Sequence, residues 1–252
     1  MKNKRRIDLN CDIGESFGPW VMGNDEAILP YVSSVNIACG FHAGDPTTIM
    51  QTLALVASYD LRIGAHPGFY DRQGFGRREI QMSPKEVYDL MVYQIGALMG
   101  CVTARGLSLH HVKPHGALYN MAAKDALLAD AIATAVYDVN PSLALYGLSG
   151  SELTRAGLGK GLHVYHEVFA DRTYKQDGTL MPRSDSSALI SDDQQAIEQV
   201  LRIVERGHVL SVDGSSVAIE ADTICLHGDN SKAVVFAKRI VDVLHDHNIE
   251  IG

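Results

Sequence analysis

Ile7-Asp8-Leu9-Asn10-Cys11-Asp12-Ile13 alternates without a break, with Ile7, Leu9, Cys11 and Ile13 on one parity and Asp8, Asn10 and Asp12 on the other. Successive side chains of a strand point to opposite faces, so this run is a strand with one apolar and one polar face. Six more β-rich runs follow: Ser34–Phe41, Leu61–His66, Leu109–His115, Leu143–Leu148, Leu162–Phe169 and Asp222–His227. Segments of helical period separate them, and strand then helix, seven times, implies a parallel sheet with helices outside. An open doubly wound sheet gathers its functional groups at one switch point, from two or three strands. A barrel gathers them from the C-terminal ends of most strands. Nearly every run here ends in polar or ionisable groups, which predicts an α/β fold closed as a (β/α) barrel of seven or eight strands.

The helices have recognisable starts. Ser83-Pro84-Lys85-Glu86 is a capping box with Pro at the first helical position, followed by Val87, Leu90, Met91, Ile95 and Leu98 on one face. Ser191-Asp192-Asp193-Gln194 reads as a second box, leading to a helix that Gly207 closes. Asp45-Pro46 starts another, and the last begins near Asn230. Asp71–Ile80 and Asp171–Ala188 are longer loops, and Val209–Ala221 reads as a hairpin. No repeat or linker interrupts the series, so residues 1–252 are expected to form a single barrel domain.

Composition narrows the partners. A net charge of −8 argues against nucleic acid, which needs clustered Lys and Arg. The one basic cluster, Lys2, Lys4, Arg5 and Arg6, reads as a solvated tail because no apolar stretch of signal-peptide length follows it. The apolar runs fall short of the ~20 residues of a membrane span. Cys11, Cys39, Cys101 and Cys225 have no CxxC spacing and read as reduced, which fits the cytoplasm.

Within a barrel the apolar parity meets the helices and the other points inward. Asn10, Asp12, His42, His66, Lys113, His115, Glu167 and His227 then converge at one end. Small or ring residues follow each of the four histidines: His42-Ala43-Gly44, His66-Pro67-Gly68, His115-Gly116 and His227-Gly228. One such histidine is more often structural; four at equivalent strand ends point to a site. Aspartate and imidazole are ordinary ligands of a divalent metal, although no HExxH-type local spacing is present. The alternative is metal-free acid–base chemistry, with Asp12 or Glu167 as base and His115 or Lys113 as acid or electrostatic stabiliser. Lys113 inside a barrel needs either an ion pair with Asp12 or Glu167, or a lowered pKa. Gly74-Phe75-Gly76-Arg77-Arg78 either closes over the site to clamp a carboxylate or is a solvated loop, and Arg172 and Arg183 carry the same ambiguity. Ser149 and Cys39 are read as structural, and neither GxxxxGK[ST] nor a strand–GxGxxG–helix signature is present.

These segments resemble the LamB/YcsF (lactam-utilisation) family. The resemblance rests on Asp8-Leu9-Asn10-Cys11-Asp12-Ile13-Gly14-Glu15, Asn36-Ile37-Ala38-Cys39-Gly40-Phe41-His42-Ala43-Gly44-Asp45 and Gly64-Ala65-His66-Pro67-Gly68. It continues through Gly74-Phe75-Gly76-Arg77-Arg78, Val112-Lys113-Pro114-His115-Gly116-Ala117-Leu118-Tyr119, Glu167-Val168-Phe169-Ala170-Asp171-Arg172 and His227-Gly228-Asp229. Only Tyr70-Asp71-Arg72 varies from the commoner wording of its loop. The resemblance implies a seven-stranded barrel akin to glycoside hydrolases and deacetylases. It also implies the A component of a 5-oxoprolinase, which with the B and C subunits converts 5-oxo-L-proline, ATP and two waters into L-glutamate, ADP and phosphate. ATP is then a co-substrate of the complex. A consistent division of labour has the partners phosphorylate the lactam and this barrel hydrolyse the activated ring. Asp12 would orient or deprotonate water with His66 and His115 nearby, and Arg77 or Arg78 would hold the substrate carboxylate. Asp12, His42 and His66 are the ligand set that related deacetylase barrels suggest for a metal. Two other readings stand beside this one: a stand-alone metal-dependent deacetylase or amidohydrolase, and a non-catalytic component that only binds oxoproline.

Overall fold

The computed structural model describes residues 5–226 and 233–252. Its elements run β1 (Arg5–Ile13), α1 (Asp25–Ile28), β2 (Ser34–Ala38), α2 (Pro46–Val56), β3 (Arg62–His66), α3 (Pro84–Ala104) and β4 (Leu109–Val112). There follow α4 (Gly116–Ala122), α5 (Ala126–Val139), β5 (Ala144–Leu148), α6 (Glu152–Lys160), β6 (Val164–Phe169) and α7 (Asp193–Arg206). The chain ends with the hairpin β7 (His208–Leu210) and β8 (Ser216–Ala218), then β9 (Thr223–Leu226), α8 (Ala233–Asp246) and β10 (Ile249–Ile251). Strands β1 to β6 pair in sequence, all parallel, and β9 pairs with both β6 and β1. The ring is therefore a closed barrel of seven parallel strands. Outside it, β10 pairs in parallel with Arg5–Ile7 of β1, and the expected hairpin is present at β7–β8.

Alternation decides what fills the inside. Leu9, Cys11, Val35, Ile37, Ala65, Val112, Leu145, Val168 and Ile224 are all buried on the helix side of the wall. The inward parity is polar down to the base. There Asp8 accepts hydrogen bonds from the hydroxyls of Ser33, Ser34, Tyr146 and Thr223 and pairs with Arg62 at 2.8 Å. A carboxylate this buried is tolerable only because nearly every lone pair has a donor.

The expected boundaries shift in four places, each for a local reason. β2 stops at Ala38, not Phe41, because Gly40 has φ +93 and its N–H turns back to the Ala43 carbonyl. β4 stops at Val112, yet the Lys113 and His115 N–H groups still bond to the Ala65 and Pro67 carbonyls, so the alternation continues past the assigned end. The first crossover holds only the single turn α1 and a 3-10 turn at Leu29–Tyr31. The cap of α7 is Asp192, whose side chain accepts from the Gln195 N–H at 2.8 Å, one residue later than the expected Ser191 box. The Ser83–Glu86 box is present as expected. α3 is long and apolar enough to cross a membrane by length and composition, but its stripe Val87, Leu90, Met91, Ile95, Leu98 and Val102 is buried. At about 1.5–3 kcal/mol for each fully buried aliphatic, that stripe accounts for its hydrophobicity as a packing face. The expected end of the last barrel strand at His227 and the helix start near Asn230 lie outside the described residues.

Candidate active site

The inward parity of β1 and β4 brings Asp12 and Lys113 together at the C-terminal mouth. The Lys113 ammonium donates to Glu167 at 2.7 Å, to Asp12 and Asn10 at 3.1 Å each, and to the Cys225 sulfur at 3.2 Å. Burial works against its charge, but Asp12, Cys225 and Glu167 outweigh burial and hold its pKa well above the usual value. Of the two readings open for Lys113, the ion pair is the one observed. Burial likewise opposes ionisation of Asp12, yet His66 and then Lys113 hold that carboxyl well below its ordinary range. Asn10 joins the set: its amide N–H groups reach Glu167 at 3.0 Å and Thr223 at 2.7 Å.

The histidines form the other half of the mouth. His66 Nδ1 lies 2.7 Å from the Lys113 carbonyl, and His115 Nε2 lies 2.7 Å from the Phe75 carbonyl. A carbonyl only accepts, so each of those nitrogens carries hydrogen. The facing pair, His66 Nε2 and His115 Nδ1, is 3.0 Å apart, and His66 Nε2 is 3.2 Å from Asp12 Oδ2. Two imidazole lone pairs at that distance repel unless a proton or a cation sits between them. His42 is buried and stacks on His115 with ring centres 3.7 Å apart and planes 2° from parallel. Among the described residues neither of its ring nitrogens has a hydrogen-bond partner, and the Glu15 carboxylate stands 3.8 Å away. Burial, reinforced by the neighbouring imidazoles and Arg77, holds His42 and His115 well below the ordinary imidazole range. Donor atoms of Glu15, His42, His66 and His115 all lie within 4.8 Å of one another. This is a group able to hold a divalent metal. It shares His42 and His66 with the expected set, whereas Asp12 stands beside it, against His66.

Glycines and one buried amide keep this cluster in place. A Cβ at Gly68 would lie 2.7 Å from His42 Nδ1, and one at Gly76 would lie 2.7 Å from His42 Cβ and 2.8 Å from His115 Cδ2. Gln94 of α3 pins the loop after β3 by accepting from the Gly68 N–H at 3.1 Å and donating to the Gly68 carbonyl at 2.9 Å.

The arginines separate. Arg77 lines the cleft. Arg78 does not: its guanidinium is bound to Asp71 and is largely exposed. Arg172 is buried in the cleft wall and donates to the Ala188 carbonyl at 3.2 Å and the Met181 carbonyl at 2.5 Å, so it ties down its own loop. Burial, then Arg183, lowers its pKa to about 10. Ser149 accepts from the Glu220 N–H, and burial pushes the Cys39 thiol up to about 12, in keeping with structural roles for both. His227 lies outside the described residues. Glu15 and Tyr119 are cleft residues that strand parity does not reach. Glu15 follows a strand end at Gly14 (φ +68), where parity no longer applies, and Tyr119 sits on α4. Burial, then Glu167, pushes the Tyr119 phenol well up, so it keeps its proton.

The cleft itself is small, about 60 Å³, and its walls include Asp12, Lys113, His115, Tyr119, Phe169 and Arg183. It adjoins a cavity of about 580 Å³, with Arg77, Gly116, Asn120, Leu180 and Arg183 lining both.

Known proteins resemble this chain along its whole length. It is 61% identical to the A component of 5-oxoprolinase from Geobacillus thermodenitrificans, over 98% of this chain and 96% of that one. It is 58% identical to the protein of the same name from Brevibacillus brevis, over 98% of each. The crystal structure of a lactam utilization protein from Thermus thermophilus superposes with a TM-score of 0.91 at 44% identity, covering 98% of both chains. The LamB/YcsF family model matches residues 7–252, the full run from the apolar edge of β1 to the last residue. Relatives this similar from end to end leave one assignment: the chain belongs to the LamB/YcsF family.

Proposed function

We propose that this chain is the A component of an ATP-dependent 5-oxoprolinase of the cytoplasm, working with the B and C subunits to open 5-oxo-L-proline to L-glutamate. The observation that carries the reading is an ionised Asp12 held between Lys113 and His66 in a cleft that adjoins a larger cavity. Amide hydrolysis needs a group to orient and deprotonate water, and a carboxylate fixed against an imidazole is suited to that task. Asp12 takes that role, with His66 and His115 nearby. Lys113 keeps Asp12 charged, pairs with Glu167 and faces the oxygen on which negative charge develops. Arg77 holds the substrate carboxylate. The sequence lacks GxxxxGK[ST], which supports placing the ATP chemistry on the partners, with this barrel hydrolysing the activated ring.

The histidine cluster suits a divalent metal, because both nitrogens of buried His42 lack partners among the described residues and the His66 and His115 donor atoms face each other. Glu15, His42, His66 and His115 would hold it, and it would polarise the scissile carbonyl as a Lewis acid. The same cluster favours a second reading, a metal-dependent amidohydrolase that works alone. An assay on acetylated sugars without ATP, with metal analysis of the purified protein, separates the two. The primary test mixes this chain with candidate B and C subunits, ATP and 5-oxoproline. Glutamate should appear only with all three chains, and D12N should abolish it. Glutamate formed without this chain removes the assignment, and full turnover by D12N leaves only a binding role.

A further inference from the structure

Asp12, Asn36, Gly64 and His111 are register partners on four adjacent strands, so they form one row across β1, β2, β3 and β4. His111 sits two strands from Asn36, about 9–10 Å at ordinary strand spacing, yet its Nε2 is 2.7 Å from the Asn36 side-chain oxygen. The ring reaches across β3, and it fits only because position 64 has no side chain. A Cβ there would lie 2.1 Å from His111 Nε2 and 2.4 Å from Cδ2. The ring cannot swing aside, since it is fully buried and stacks on Tyr146 with ring centres 3.9 Å apart. Tyr146 is anchored in turn on Asp8.

The direction of every hydrogen in this row follows from its fixed ends. Lys113 only donates and the Glu167 carboxylate only accepts, so Asn10 must turn its oxygen to Lys113 and its nitrogen to Glu167. Asn36 Nδ2 lies 2.8 Å from that Asn10 oxygen and 2.8 Å from Asp12 Oδ1, so both amide hydrogens are given away there. The Asn36 oxygen is left to accept, and the donor is His111 Nε2–H. His111 Nδ1 is then the free lone pair, and it accepts from His110 Nδ1 at 3.1 Å. Turned the other way, the Asn36 amide would set its oxygen against two acceptors and lose its grip on Asp12.

We propose that His111, reaching over Gly64, is a positioning residue that locks the Asn36 amide in the orientation that aims the Asp12 carboxylate. His111 touches no part of the cleft; it acts through Asn36. The proposal rests on Asp12 being the group that handles water, and D12N tests that premise separately.

The test is steady-state turnover of the reconstituted complex with ATP and 5-oxoproline, using D12N, H111L, H111Q, G64A and N36D of this chain. H111L should lower kcat at least tenfold with the KM for 5-oxoproline within twofold. H111Q, which keeps an N–H donor near the Nε2 position, should recover to within about threefold of the natural chain. G64A leaves every donor in place but displaces the ring, so it should match H111L. Should H111L fail to assemble, N36D decides: it still accepts from His111 but has nothing to donate to Asp12, and its kcat should fall as far. The proposal is overturned if H111L turns over normally, or if H111Q is no better than H111L while both assemble and melt like the natural chain. It is equally overturned if N36D keeps normal turnover. An active D12N removes the premise itself, whereas an inactive D12N beside a normal H111L removes the positioning role alone.

Discussion

Lys113→Met is the perturbation that bears most heavily on the mouth of the barrel. The ammonium is a positive charge shared by Glu167 and Asp12, at 2.7 and 3.1 Å. Asp12 has His66 as a second neighbour and an edge in solvent. Glu167 has no such edge: it is fully buried, and with Lys113 gone the oxygen that faced it keeps the Asn10 amide. Removing one partner of a buried pair costs about 3–5 kcal/mol, because the survivor is left charged and uncompensated. For a chain of this length each kcal/mol moves the melting temperature by about 2–4 °C, so K113M should melt about 6–20 °C lower and lose turnover. A second substitution tests the cause. In K113M/E167Q the stranded charge becomes a neutral amide, and at least about 2 kcal/mol should return, since replacing both members of a pair is far cheaper than removing one. Thermal melts of the two variants read both effects. A gap below about 1 kcal/mol, or no recovery in the double variant, would refute the account of Lys113 as the counter-charge of the barrel mouth.

Arg77 and Arg78 should separate in kinetics. R77A should lower kcat/KM about 10- to 150-fold, the 1.5–3 kcal/mol of a hydrogen bond to a charged group, whereas R78A, whose partner is Asp71, should cost far less. G76A would set a methyl 2.7 Å from His42 and 2.8 Å from His115 at a residue with φ +63, and turnover should fall at least about 100-fold as the stack shifts. The acid limb of a stability profile should be steep. Burial, more than neighbouring charges, holds His42, His111 and His115 below their ordinary range, so the unfolded chain binds more protons as pH drops below about 6.5. Stability is then lost on acidification at up to about 1.4 kcal/mol per pH unit for each of the three, and H111Q should remove one share of the slope.

The barrel was legible because period-two alternation and closure constrain each other. Once Asp8, Asn10 and Asp12 share a face that cannot meet helices, they must meet one another inside a cylinder, and Lys113 and Glu167 arrive by the same parity. The contact between Lys113 and Glu167, 54 residues apart in the chain, needed no knowledge of loops. Parity fails where the strand stops being a strand. Extending β2 to Phe41 sends His42 toward the strand-end histidines, and its ring does stack on His115, but Gly40 breaks the strand and the following turn delivers the ring. Glu15 escapes notice for the same reason. It follows Gly14 at the end of β1, where a positive φ redirects the chain, and its proximity to three histidines is a product of that turn.

A subtler loss concerns information that exists only between strands. A glycine inside a strand marks a bulge or the close approach of another group, so Gly64 in Arg62-Ile63-Gly64-Ala65-His66 signals that something passes over β3. Which group passes depends on how β4 is offset against β3, and the pairing of Gly64 with His111 includes a register shift at Ile63/Gly64. That shift is a single residue, with Ile63 facing Leu109 and Gly64 facing His111, and alternation counted along either strand alone does not show where such a bulge falls. Asn36 and His111 therefore read from the sequence as two unconnected inward-facing polar residues, although the fold makes them one device ending on Asp12. The polar interior of a barrel is specified twice, once by parity and once by register, and only the first is written along the chain.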